Sequence, residues 1–378
     1  MINLKNYQRS FIMQKKIIAV AIATVFSAPS FADNSNITVY GKLNADFESV
    51  RNDKATLATN ATSLTRVVSN ASYLGFKGGK DLGDDLQAIF QIEALVDLNS
   101  TSGNGFSGAL RNSNVGLKGN LGTVFYGNWD TPYKVVHNKI ELFDNTHAAS
   151  ALNITGRAPY TSTTGANFNT RQKNVVQYWT PDYSGFQAKL AYSPDNAEKG
   201  TLVAGGNKAV WSLGAIYEND LFYGAYGYEA HKDTLAAAGS TVSLTDTANR
   251  LVGAYKFKDG QIGLTYEHLS IAQAAASTQT VSRNGWELSG KYKFGDSNIG
   301  AFYSRANDLE GAANANTGAN QFSLRYGYKF HKDTEVYGFY TELRNKTAGL
   351  YNLSAGNTIT GAVGAKLSGL GLGIIHTF

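Results

Sequence analysis

The chain has 378 residues, 43% of them hydrophobic and 12% aromatic, with 40 glycines, only 5 prolines and no cysteine, which excludes disulfides and thiolate metal sites. Its longest apolar run, Ile17–Phe26 broken only by Thr24, is too short to cross a membrane as a helix. The net charge of +5 resides mostly in the N-terminal segment and carries no argument for a nucleic-acid partner.

Taken in chain order, Lys15 and Lys16 precede the apolar run, and Ser-Ala-Pro-Ser-Phe-Ala follows it to Ala32. This pattern predicts a secretory signal over residues 1–32, with Met13 as the start that gives it normal proportions and Asp33 beginning the mature chain of residues 33–378. Without Lys5, Arg9, Lys15 and Lys16 the balance is 30 basic against 29 acidic residues, or +1.

From Ile37 onward, segments of about ten residues alternate apolar with polar or small side chains. Trp211, Leu213, Ala215 and Tyr217 alternate with Ser212, Gly214 and Glu218; Trp286, Leu288, Tyr292 and Phe294 with Glu287, Ser289, Lys291 and Lys293; Phe322, Leu324, Tyr326, Tyr328 and Phe330 with Ser323, Arg325, Gly327 and Lys329. A period of two puts each set on its own face of a sheet, and charges in mid-strand require that one face be wet. Short turns at Lys80–Asp85, Gly119–Gly122, Asn219–Asp220, Lys258–Gly260, Gly295–Ser297 and His331–Asp333 alternate with long connections, the longest running from Asp130 to Thr170. The pattern predicts an all-β fold, a 16-stranded antiparallel transmembrane β-barrel closed by its terminal strands so that no edge faces lipid. A soluble β-sandwich would not require long loops to alternate with short turns. Tyr40, Phe76, Tyr126, Tyr178, Tyr192, Phe222 and Tyr255 are expected in interfacial girdles. The segment 130–170, with strand pairs on both sides, reads as a loop folded into the lumen that narrows it.

Three stretches carry a family resemblance. Ser72-Tyr-Leu-Gly-Phe-Lys-Gly-Gly-Lys-Asp-Leu-Gly, Leu86-Gln-Ala-Ile-Phe-Gln-Ile-Glu and Asn114-Val-Gly-Leu-Lys-Gly resemble successive strands of the general porins of Gram-negative bacteria, of neisserial and β-proteobacterial type. Arg171-x-x-Asn-x-Val-x-Tyr-x-Thr-Pro-x-Tyr-x-Gly-Phe is similar to the strand and turn after that family's third loop, and Phe378 to its terminal aromatic residue. The resemblance implies an outer-membrane homotrimer, an inward third loop at the constriction, and passive passage of small hydrophilic solutes and ions. It implies no cofactor.

For the constriction, Asp130, Glu141 and Asp144 are the loop carboxylates able to set its charge, offset by Lys134, Lys139 and Arg157. Within Glu141-Leu-Phe-Asp144, Leu142 and Phe143 are expected to anchor the loop while the acids face the opening. The family's wall arginines match Arg111 and Arg171, whereas the third position is Tyr73, a loss of one positive charge that argues against strong anion selectivity. Alternation groups Arg171 with Lys173 and Gln177, puts Lys77 on the Tyr73 face and makes Lys42 luminal. Arg111 falls with Val115 and Leu117, toward lipid, where a charge costs about 2–4 kcal/mol; a bulge between residues 111 and 114 would return it to the lumen.

Two other functions compete with this reading. An outer-membrane barrel enzyme finds no G-x-S-x-G or H-E-x-x-H pattern among the dispersed histidines. The other is a channel selective for sugars or one anion; a sugar channel would need an aromatic track, for which only Tyr40, Tyr73 and Phe125 point inward.

Overall fold

The computed structural model describes residues 36–54, 63–99, 106–144, 147–159, 165–194, 208–233, 243–272, 280–311, 315–353 and 363–378. The expected signal, residues 1–32, lies outside the described residues. One antiparallel sheet contains eighteen ladder segments. Two strands are each split into two segments by a short break, so the sheet has sixteen strands.

We number them β1 (Asn36–Asn52), β2 (Ser63–Ser69 and Tyr73–Gly83), β3 (Leu86–Val96), β4 (Phe106–Leu110 and Ser113–Gly119), β5 (Gly122–Asp130), β6 (Arg171–Trp179), β7 (Phe186–Pro194) and β8 (Ala209–Glu218). The second half comprises β9 (Phe222–Lys232), β10 (Thr245–Phe257), β11 (Gly260–Ala272), β12 (Thr280–Phe294), β13 (Ser297–Ala306), β14 (Ala319–His331), β15 (Thr334–Asn345) and β16 (Lys366–Thr377). Each strand pairs with the next, and β16 returns to β1 from Lys42↔Thr377 to Asn52↔Leu367. Gly41 and Phe378 exchange both backbone hydrogen bonds, at 2.9 and 3.1 Å, which extends the seam to the last residue. The barrel is closed, so no sheet edge needs a partner.

Burial along the strands is the inverse of a soluble sheet. On β11, Ile262, Leu264 and Tyr266 are each more than half exposed, while Thr265 and Glu267 between and beside them are at most 1% exposed. β10 repeats this with exposed Leu251 and Tyr255 against buried Arg250, and β12 with exposed Leu288 against buried Arg283 and Glu287. An apolar outer belt around a polar interior is stable only against hydrocarbon. The sandwich alternative fails here, because it would bury the apolar rows. Tyr40 departs from its expected girdle place: its hydroxyl donates to Glu93 at 2.9 Å and Lys77 lies 4.8 Å from its ring, both on the inner face.

The two strand breaks re-aim side chains. At residues 70–72, Ala71 takes a left-handed φ of 52°, and Asn70 turns to donate to Asp46 at 2.6 Å. At residues 111–112, between the segments of β4, the Arg111 N–H still reaches the Glu93 carbonyl at 2.9 Å. The break shifts Arg111 out of phase with Val115, which is 63% exposed on the outer face.

Candidate functional site

The segment between β5 and β6 departs at Asp130 and returns at Arg171, two residues paired across the ladder. Thr131 caps a one-turn helix, Pro132–Val135, accepting from the Lys134 N–H, with Pro132 in the first turn where no donor is needed. The chain then follows the polar faces of distant strands. The Tyr133 N–H donates to Ser212 on β8 at 3.0 Å, Tyr223 on β9 donates to the Val136 carbonyl at 2.8 Å, and Gln261 on β11 donates to the Lys139 carbonyl at 3.0 Å.

Missing wall side chains make the seat. A Cβ at Gly227 would meet Val136 at 2.9 Å, one at Gly263 would meet Ile140 at 2.6 Å, and one at Gly300 would meet Leu142 at 3.1 Å. Phe143 fills the next space, its ring 6.5 Å from Phe302 and 6.2 Å from Phe339.

Buried charge then locks the segment. Glu267 on β11 lies 3.1 Å from Arg250 and 2.8 Å from Arg283, and all three side chains are 0% exposed. The same carboxylate accepts the Gly156 N–H at 2.9 Å, Arg283 donates to the Ile154 carbonyl at 2.8 Å, and the Arg250 guanidinium stacks 4.2 Å from the Tyr133 ring. Gly156 is required twice over: its φ is +69°, and a Cβ would meet Asn169 at 2.5 Å. One histidine adds a further tie, His137 Nε2 at 2.7 Å from Glu287 on β12, and His147 Nε2 lies 2.9 Å from Asp46 on β1.

The wall from β1 to β6 is different. Arg111 sits 3.5 Å from Glu93 with its guanidinium 5.0 Å from the Tyr73 ring, and its side chain keeps 17% exposure. Arg171 donates to Asn112 at 2.6 Å and lies 3.2 Å from Asp130, at 20% exposure. Lys134 also reaches Asp130, at 2.6 Å; burial lowers the pKa of this lysine. Across the opening, Asp144 pairs with Lys42 and accepts from Asn44, and Arg325 on β14 pairs with Glu335 at 2.6 Å.

These groups enclose one cavity of about 380 Å³, whose lining includes Lys42, Arg111, Lys134, Arg171 and Arg325 with Asp130, Glu141 and Asp144. The lining holds five cations and three carboxylates, while Glu93 and Glu335, paired with Arg111 and Arg325 just outside it, bring the local formal balance to zero.

Six of the eight residues singled out by the sequence meet in this lining: Lys42, Arg111, Asp130, Glu141, Asp144 and Arg171. Tyr73 and Lys77 stand outside it; Tyr73 backs Arg111 and lies 5.8 Å from the Lys42 ammonium. Glu141 does not present its carboxylate to the opening as expected. It turns back to accept the Leu142 and Phe143 N–H groups at 3.1 and 3.0 Å, and burial, reinforced by Glu287 and opposed by His137, pushes its pKa up to about 7. A bulge between Gln172 and Val175 breaks the alternation that grouped Arg171 with Lys173 and Gln177: Lys173 is exposed and Gln177 is buried. Lys134, expected only as an offsetting loop charge, and Arg325 join the lining beside these six. Arg325 carried a usable signal, its inward phase between Leu324 and Tyr326.

Comparison with known proteins is consistent with this architecture. A family model described as Gram-negative porin matches residues 19–348. The major outer membrane protein P.IB of Neisseria lactamica is 28% identical over 252 residues, 64% of this chain and 67% of that protein. Outer membrane porin protein 32 of Delftia acidovorans is 25% identical over 372 residues, 97% of this chain and 100% of the relative. Among solved structures, the anion-selective porin from Comamonas acidovorans superposes with a TM-score of 0.76 at 24% identity, covering 91% of this chain and 100% of that one. The trimer form of OmpT, an outer membrane protein of Vibrio cholerae, gives 0.65 at 16% identity, with 92% and 100% covered. A closed sixteen-stranded barrel with an apolar exterior, matched over most of its length by that family model, places this chain in the Gram-negative porin family as an outer-membrane channel.

Proposed function

We propose that the described residues between Thr131 and Thr170 lie across the lumen as its constriction, and that the charged groups around the cavity set which solutes pass. The observation that carries this reading is the cavity of about 380 Å³ bounded by Asp144 and Lys134 from the loop and by Lys42, Arg111, Arg171 and Arg325 from the walls. Small hydrophilic solutes and ions diffuse through it without meeting the bilayer, and cations that face the opening while Glu93 and Glu335 stand behind them bias passage toward anions. The anion selectivity of the Comamonas acidovorans porin accords with that bias. Tyr73, where the family resemblance leads to expecting arginine, keeps it modest. Dipolar solutes align between the Asp144 side and the Arg111–Arg171 side. The chain acts as a channel and not as an enzyme, in keeping with its family.

Three copies associate as a trimer, supported by the trimer form of the Vibrio cholerae relative, and the rest of the apolar belt lies against outer-membrane lipid. Residues 1–32 act as the export signal. Reconstitution into a planar bilayer tests the reading. Stepwise conductance, closures in threes and a reversal potential in a salt gradient of modest anion preference are expected; a reversal potential on the cation side would overturn the assignment of the lining.

A further inference from the structure

The inner faces of β5 and β6 carry an aromatic cluster. Phe125 and Trp129 of β5 and Trp179 of β6 pack edge to face, with centroids 5.0, 5.1 and 5.9 Å apart. Phe125 is 1% exposed and forms the backing, while both tryptophans stay partly exposed. Trp179 is fixed in place: its indole N–H donates to Gln177 at 3.0 Å, and Gln177 donates to the Asp130 carbonyl at 3.0 Å. Lys189 of β7 is its ladder partner and holds its ammonium 4.1 Å from the Trp179 ring centroid. Among the described residues no carboxylate pairs with Lys189.

The aromatic residues on the inner faces of β9, β13 and β15 differ. Tyr223, Phe302, Tyr337 and Phe339 are at most 6% exposed and pack against residues of the loop. The tryptophans lead somewhere as well. Trp179 immediately precedes the turn from Thr180 to Gly185, and Trp129 adjoins Asp130 of the cavity lining.

We propose that Trp129, Trp179 and Lys189 form a subsite for arenecarboxylates. This rests on reading the chain as a water-filled channel with these strand faces in its lumen. The flat ring of such a solute stacks on an exposed indole face, and its carboxylate pairs with the Lys189 ammonium. The Gln177 tether holds the indole in position before the solute arrives, which lowers the ordering cost of binding. An alicyclic carboxylate of the same charge and similar size gains only the lysine, and a neutral arene only the rings.

The test uses the full chain in planar bilayers in potassium chloride, with benzoate or cyclohexanecarboxylate added. Benzoate is expected to reduce single-channel current at a several-fold lower concentration than cyclohexanecarboxylate. Trp179→Leu is expected to abolish that difference, Trp179→Phe to keep most of it, and Lys189→Gln to weaken block by both anions. Channels of the phenylalanine variant also report folding independently of the leucine variant. Equal block by the two carboxylates in the unaltered chain, with ordinary chloride current, would overturn the subsite and leave the channel reading standing. Absence of chloride current would instead overturn the channel reading.

Discussion

Two walls of one lumen use the same residue types to opposite ends. Around β10 to β12, Arg250, Arg283 and Glu267 are 0% exposed and hold the segment after β5. Around β4 to β6, Arg111 and Arg171 stand beside Glu93 and Asp130 yet keep 17% and 20% exposure toward the cavity. The difference lies in coverage. Where Tyr133 and Gly156 close over the charges, they are sealed and structural; where the guanidinium keeps an opening to the cavity, its field reaches solutes.

The largest effect is expected on the sealed wall. Glu267→Gln leaves Arg250 and Arg283 buried without a counter-charge and should cost about 3–5 kcal/mol, read as a lower denaturant midpoint together with noisier open-channel current. Arg111→Gln with Arg171→Gln should leave stability within about 1 kcal/mol yet move the reversal potential toward cations. A comparable stability loss in both variants would erase the distinction between the walls.

Glu141 gives an intermediate, pH-dependent effect. Its folded pKa near 7 lies above the ordinary 4.5, so the folded state holds the proton more tightly than the unfolded one. The stability this confers is complete below about pH 4.5 and is lost as pH rises through 7. Glu141→Gln should therefore match the unaltered chain at pH 4 and exceed it at pH 8, by about 1–3 kcal/mol, in denaturant midpoints measured at both values. Asp144→Asn frees Lys42 and should raise anion preference, a shift opposite in sign to that of the arginine pair. The smallest effect is expected from Lys139→Gln, because the partly exposed pair of Lys139 with Glu218 contributes less than about 1 kcal/mol.

The barrel was legible because its signals are local: a period of two, short turns and a long segment between strand pairs. The lumen charges were legible only where alternation is unbroken. Lys42 follows from Gly41 and Leu43, but Arg111 sits beside a strand break, where one extra residue reverses the inferred face, and the bulge after Arg171 does the same to Lys173. The lock was not legible, since Glu267, Arg283 and Gly156 are far apart in sequence and meet only through closure. The Trp179–Lys189 pair was missed for a related reason: each residue follows its own strand's period, and the register that joins them belongs to the sheet.

The central claim is that the segment after β5 stands in the conducting path. The chain has no cysteine, so Asn138→Cys, at an exposed position in the cavity lining, offers one unique thiol. Reaction with a bulky anionic thiol reagent during single-channel recording should lower conductance in discrete steps, one per pore, with no response from the unaltered chain. Complete modification with conductance unchanged would place the segment outside the path and contradict the account.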